Sequence, residues 1–169
     1  MVVITISSAL IIFGIMNIYK KYYLYRYSKY VQKQDGLEYS LQTFGTEVEK
    51  GNSIAEGNPY ELFLSVNSGS DCSGSVEVRE IQLVPENGNS MTISSKDKTA
   101  QKFSRESTGE CVVYFSFNNV NLKYVNYQVN LEVKLNRGND KTSVRLNMDL
   151  KTSYKEIYRN TILDMIMSA

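Results

Sequence analysis

The chain has no histidine and no tryptophan, only two cysteines and two prolines, and a net charge of +1 from 19 basic and 18 acidic residues. Each shortage closes off some chemistry. Without histidine there is no imidazole to move protons near neutral pH. Ser-His-Asp and Cys-His nucleophile systems are excluded, and so are zinc sites built on imidazole. Two thiols cannot complete a four-thiolate centre. A charge near zero gives no overall field toward nucleic acid. Neither GxxxxGK[ST] nor GxGxxG occurs, so no glycine-rich phosphate cradle is legible. The carboxylates Glu77, Glu80, Glu86, Asp97, Glu106 and Glu110 are scattered, and no spacing marks a catalytic pair. No Asn begins an Asn-x-Ser/Thr acceptor, which disfavours a glycosylated surface protein. The expectation is a non-enzyme without cofactor or metal.

Charge is also missing from residues 1–18, MVVITISSALIIFGIMNI. An uncharged run of this length is near the minimum for a membrane-spanning helix. A cleaved signal peptide fits less well, because no basic side chain precedes the run and bulky residues follow it. Its apolar residues surround a helix instead of lining one face. The reading is a retained signal-anchor of a single-pass membrane protein. Next comes YKKYYLYRYSKY, part of a chain with 13 tyrosines. Tyr beside Lys and Arg suits the lipid headgroup zone. Tyr19, Lys20, Lys21, Tyr22, Tyr23, Tyr25, Arg26, Tyr27, Lys29 and Tyr30 are therefore the candidate membrane-interface residues. The same mixture of rings and bases could stack on nucleic acid, but its place beside the apolar run favours lipid over nucleic acid.

Apolar residues continue at Leu37, Leu41, Phe44 and Val48, in steps of four, three and four. This spacing predicts a helical stalk. The anchor and stalk together would reach up to about 70 Å at the helical rise. The turn-prone pair Asp35-Gly36 could interrupt it. The chain thus divides into a transmembrane helix (1–18), a basic, aromatic juxtamembrane segment and stalk (19–48), a polar linker (49–59), a β-sandwich (60–153) and a C-terminal helix (154–169).

Beyond Pro59 the apolar period becomes two. Val125, Tyr127, Val129, Leu131, Val133 and Leu135 share one face, and Val144, Leu146, Met148 and Leu150 repeat the pattern after the turn NRGNDK. These two read as a hairpin. A phase shift after Val78 predicts a bulge near Arg79-Glu80. Short strands separated by turns predict a mainly β, immunoglobulin-like antiparallel sandwich, although the Cys-Trp-Cys signature of antibody domains is absent. Cys72 and Cys111 fit one disulfide or two separate buried thiols. The disulfide requires their Cα atoms within about 7 Å. That in turn requires one intervening strand, near Met91, to bring the chain back to the same end. In the tail, Tyr154, Ile157, Tyr158, Ile162, Met165 and Ile166 form a helix-like stripe, packed on the sandwich or against another subunit.

An uncharged N-terminal helix, a stalk and a β head with one cysteine pair together resemble the type IV pilin superfamily, including archaeal pilins and archaellum accessory proteins. The opening MVVITISSALIIFGIM looks like a processed pilin N-terminus, with Thr5 where bacterial pilins usually carry Glu and no leader-peptidase site before it. The resemblance implies a membrane-anchored structural or assembly subunit of a cell-surface complex, contacting lipid and other protein subunits in an oligomer or filament. The alternative is an anchored binding module, a receptor or adaptor, whose loops 68–74 or 86–89 hold a ligand or partner. The bases after the anchor favour a cytoplasmic domain, whereas a cysteine pair in a β domain favours the extracytoplasmic side. The expectation is the latter, with a basic leader before Met1 as one resolution.

Overall fold

The computed structural model describes residues 19–95 and 99–160, and all regular structure among them is strand. In chain order the strands are β1 Tyr19–Tyr27, β2 Tyr30–Gln34, β3 Leu37–Lys50, β4 Ser53–Asn67, β5 Ser75–Glu77, β6 Glu80–Pro85 and β7 Met91–Ser94. Then come β8 Gln101–Lys102, β9 Ser104–Arg105, β10 Cys111–Val120, β11 Tyr127–Arg137, β12 Asp140–Leu150 and β13 Thr152–Asn160.

Three helical expectations are corrected or lie outside this description. The stalk over 19–48 is β1, β2 and most of β3. The described part of the C-terminal helix, 154–160, is β13; its remainder, 161–169, lies outside the described residues, as does the transmembrane helix over 1–18. The linker over 49–59 is a tight turn at Gly51-Asn52 between the paired ends of β3 and β4. The physical reason is an ambiguity of spacing. A step of four is one helical turn, but it is also two strand periods. Leu37 and Leu41 lie on one strand face with Tyr39 between them, and all three are buried. Tyr154 and Tyr158 share a face of β13 in the same way. Residues rich in Tyr, Val and Thr then favour strand. Asp35 (φ 52°) and Gly36 (φ 74°) both adopt positive φ, which closes β2 and β3 as a two-residue hairpin.

The strands form a seven-stranded and a six-stranded sheet. In the first, β4 is central, with β3 along one side and β10 then β9 on the other. In the second, β11 is central, with β12 on one side and β6 then β7 on the other. The chain crosses between sheets from β4 to β5, from β8 to β9, from β10 to β11 and from β12 to β13. The bulge expected near Arg79 is present: β5 and β6 flank Val78-Arg79 and both pair with β11. β7 and β8 follow β6 and β5 in the second sheet, and the chain then passes to the first at buried Phe103 and continues as β9. The inward residues of both sheets, among them Leu62, Leu64, Phe115 and Phe117 from one and Ile81, Leu83, Val129 and Val133 from the other, make one core.

The returning segment β7–β9 brings the start of β10 back to the start of β5. Cys72 and Cys111 are joined there as a disulfide, with Cα atoms 5.0 Å apart.

Candidate functional site

The first sheet is longer than the second. Below a register shift between Gly45 and Thr46, β3 and β4 continue as a hairpin, and β1 pairs in parallel with β4 over Lys21–Leu24. At the shift β3 runs so close to β4 that a Cβ on Gly45 would lie 2.8 Å from the Gly57 nitrogen. β13 then pairs along the whole of β1, from Tyr27↔Thr152 to Tyr19↔Asn160. The result is a four-stranded arm in the order β3–β4–β1–β13. Its tip is the Tyr19↔Asn160 pair, so the first and last described residues are neighbours.

Tyrosines join the arm to the sandwich. Tyr27 is buried and its hydroxyl donates to the Lys123 carbonyl at 2.7 Å. The Lys123 N–H donates to the Tyr127 hydroxyl at 2.9 Å, a tyrosine corner at the start of β11. The Tyr60 hydroxyl donates to the Tyr25 carbonyl at 2.6 Å. The Tyr27 ring lies 5.3 Å from Tyr60 and 6.2 Å from Tyr127, and Tyr25 lies 5.3 Å from both Tyr124 and Tyr154. Burial pushes the Tyr60 hydroxyl up to about 12 and the Tyr27 hydroxyl higher still. Asn58 ties the kink in β4 to the same loop, accepting from the Leu122 N–H at 2.8 Å and donating to its carbonyl at 2.6 Å. On the arm's other face the Arg26 guanidinium grips the buried Glu56 carboxylate.

Toward the tip the two faces become similar. One carries Lys21, Tyr23 and Tyr158. Lys21 bridges to Glu156 at 2.6 Å and sits 4.8 Å from the Tyr23 ring and 5.3 Å from the Tyr158 ring. Its hydrogen bond to Glu156, with support from both tyrosines, holds it well above the usual lysine range and holds Glu156 below the usual carboxylate range. The opposite face carries Lys20, Tyr22 and Arg159. Lys20 pairs with Glu49 at 2.5 Å, and the Arg159 guanidinium lies 5.2 Å from the Tyr22 ring. The tip thus wears a collar of rings and cations on both sides.

The expected interface residues are split by this geometry. Lys20, Lys21, Tyr22 and Tyr23 lie on the collar, while the side chain of Tyr19 is outside the description. Tyr25 and Arg26 lie further up the arm; Lys29 is exposed beyond β1, Tyr30 packs partly against the core and Tyr27 is within it. The sequence marked Tyr158 only as part of the tail stripe and Arg159 not at all, because only the β1–β13 register brings them beside Lys21 and Tyr22.

At the opposite end of the sandwich lie the turn at Asp35-Gly36 and the loops 68–74, 106–110 and 138–139. The disulfide, Arg105 donating to the Ser70 carbonyl at 3.1 Å and the Arg137–Asp71 pair at 3.7 Å tie the last three together. Hydrogen bonds from Ser73 hold Asp71 below the usual carboxylate range. Loop 86–89 lies at the arm end, so the two loops offered as alternative binding sites are on opposite ends. The outer face of the second sheet forms an open trough of about 840 Å³ lined by Arg79, Glu132, Lys134 and Arg145 among others. No group of three potential metal ligands occurs among the described residues, and none of their elements is an apolar helix able to cross a membrane.

No protein-family model, no curated protein and no solved structure matches this chain.

Proposed function

We propose that this chain is a membrane-anchored structural or assembly subunit of a cell-surface complex, pilin-like in plan, that acts through protein–protein contacts. The observation that carries the reading is lengthwise polarity. The uncharged residues 1–18 join the domain at the arm tip, and the disulfide-stapled loop cluster is at the far end. A subunit tethered through residues 1–18 would hold that cluster away from the bilayer, toward partners. The Cys72–Cys111 bond supports an extracytoplasmic domain, because such bonds rarely persist in the cytosol.

Fractionation tests the tether. The full chain should stay with membranes through an alkaline carbonate wash, and recovery as a soluble monomer refutes it. Thiol labelling of intact cells with an impermeant reagent, with and without reductant, tests the side. Labelling only after reduction is expected; free thiols reached only after lysis would place the domain in the cytosol.

The stapled loops 68–74, 106–110 and 138–139 favour a second reading, an anchored receptor or adaptor whose loop end holds a ligand. Sedimentation in mild detergent separates the two. An assembly subunit should run as long oligomers, and a receptor as a monomer or dimer.

A further inference from the structure

We infer that the arm tip is a two-stranded lipid-contacting foot, in which Tyr158 and Arg159 of β13 enter the headgroup layer beside Lys21, Tyr22 and Tyr23 of β1. The inference rests on the tethered reading above and adds the partner of this surface, a phospholipid headgroup layer, and the second strand that meets it.

Three observations carry it. First, two weakly charged stretches adjoin the Tyr19↔Asn160 pair in sequence: residues 1–18, with no charged side chain, and 161–169, TILDMIMSA, with Asp164 alone. The Tyr19↔Asn160 pair is the described part of the domain to which both are joined. Second, the side chains at the tip are those an interface favours, aromatic rings with polar edges and long cations. Tyr158 is 64% exposed. Third, these residues occupy both faces of the strand pair, Lys21, Tyr23 and Tyr158 on one and Lys20, Tyr22 and Arg159 on the other. A single face pressed onto a partner would carry them on one side only; a strand pair standing end-on in the headgroups needs them on both.

Distance makes the claim graded. At about 3.3 Å per residue, Tyr158 stands roughly 7 Å from the tip and Tyr154 roughly 20 Å. The headgroup layer on each side of the hydrocarbon is about 5–7 Å deep. An upright foot wets Tyr158 with lipid and leaves Tyr154 clear of it. Glu49 and Glu156 offset Lys20 and Lys21, whose side chains are 28% and 30% exposed, but Arg159 makes its ring contact without a carboxylate partner among the described ion pairs and leaves the collar a cation for a headgroup layer.

The absence of tryptophan allows a clean test. Single-tryptophan variants of the full chain, Tyr158→Trp, Tyr154→Trp, Tyr114→Trp and Phe13→Trp, are reconstituted into phosphatidylcholine–phosphatidylglycerol vesicles whose acyl chains are brominated near the headgroup. Tryptophan emission is compared with that in unbrominated vesicles. The expected result is strong quenching at positions 13 and 158, at least twofold at 158, and none at 154 or at 114 on the outer face of β10. Quenching at 13 without quenching at 158 overturns the foot and leaves the tether standing. Quenching at 154 equal to that at 158 overturns the upright geometry, since the arm would then lie flat. No quenching at 13 removes the tether and the foot together. Far-ultraviolet circular dichroism of each variant, matched to the parent chain, keeps a misfolded arm from passing as a negative result.

Discussion

Removing one oxygen from a tyrosine should stabilise this protein at one position and weaken it at two others. Tyr39 is completely buried on β3, and its hydroxyl has no hydrogen-bond partner among the described residues. Burial pushes that hydroxyl up to about 12. A buried hydroxyl without a partner costs about 1–3 kcal/mol of lost hydration. Tyr39→Phe removes that cost and keeps the ring, so a gain of about 1 kcal/mol is expected. Tyr27→Phe and Tyr127→Phe do the reverse. Each keeps its ring, but Tyr127→Phe leaves the Lys123 N–H without its acceptor, and Tyr27→Phe takes one of two donors from the Lys123 carbonyl, which keeps the Val125 N–H. Each loss should be about 1–2 kcal/mol. With a urea slope of about 2–3 kcal/mol/M, the midpoint should rise by roughly 0.3–0.5 M for Tyr39→Phe and fall by roughly 0.3–1 M for the other two. Equilibrium urea unfolding of the detergent-solubilised chain, followed by tyrosine fluorescence and circular dichroism, reads these shifts. A Tyr39→Phe midpoint below the parent value, at unchanged slope, would mean that the hydroxyl is bonded after all. Equal, negligible shifts at Tyr27 and Tyr127 would refute the tyrosine joint.

Two further outcomes follow from the same structure. Replacing both Cys72 and Cys111 by Ala opens a link across a sequence separation of 39, which the chain-entropy relation values at about 4 kcal/mol; a scanning-calorimetry midpoint lowered by roughly 10–15 °C is expected, and an unchanged midpoint would show that the bond closes no loop that matters in the unfolded chain. Base should also unfold the protein. Tyr39 and Tyr60 are raised to about 12 and Tyr27 higher, so the folded state holds these protons that the unfolded chain gives up near 10; the stability they lend is complete below about pH 10 and drains as pH rises toward 12. Absorbance at 295 nm, free of tryptophan background, should show these three ionising only as the fold is lost. A single smooth titration of all tyrosines with the fold intact would contradict their burial.

The head of the molecule was legible because its strands are half-buried in the plainest way. From Tyr127 to Leu135 every second residue is inward, and the hairpin to β12 follows at a two-residue turn. The cysteine pair was legible at one remove, through the need for a strand that returns to the same end. The arm was not. Its residues face two different environments within a few positions, with Leu24 buried on one face and Tyr27 on the other, so no single period dominates. Steps of four at Leu37–Leu41 and Tyr154–Tyr158 then let a helix fit as well as a strand. The pairing that decides between them joins Tyr19 to Asn160, which are far apart in the sequence. Such a partner leaves no local mark. For the same reason half of the collar, Tyr158 and Arg159, could not be read from the tyrosine-rich stretch that supplies the other half.

The tyrosine-rich stretch therefore has two jobs that composition alone blends into one. Near the tip, Tyr22 and Tyr23 lie beside cations and stay accessible. Four residues further on, Tyr27 is inside the core and fixes the Lys123 peptide jointly with Tyr127. The change happens along one strand, so β1 transmits position directly from the tip to the sandwich. Strand β13 runs beside it in full register and enters the sandwich straight from β12. Strands β3 and β4 also run from the first sheet into the arm, so the arm hangs on two strand pairs. Held by both, and locked by Asn58 to the loop at Leu122, it can swing only by breaking several buried hydrogen bonds at once. Orientation of the far loop cluster is then set by the tip, which is what a subunit that must meet its neighbours at a fixed angle requires.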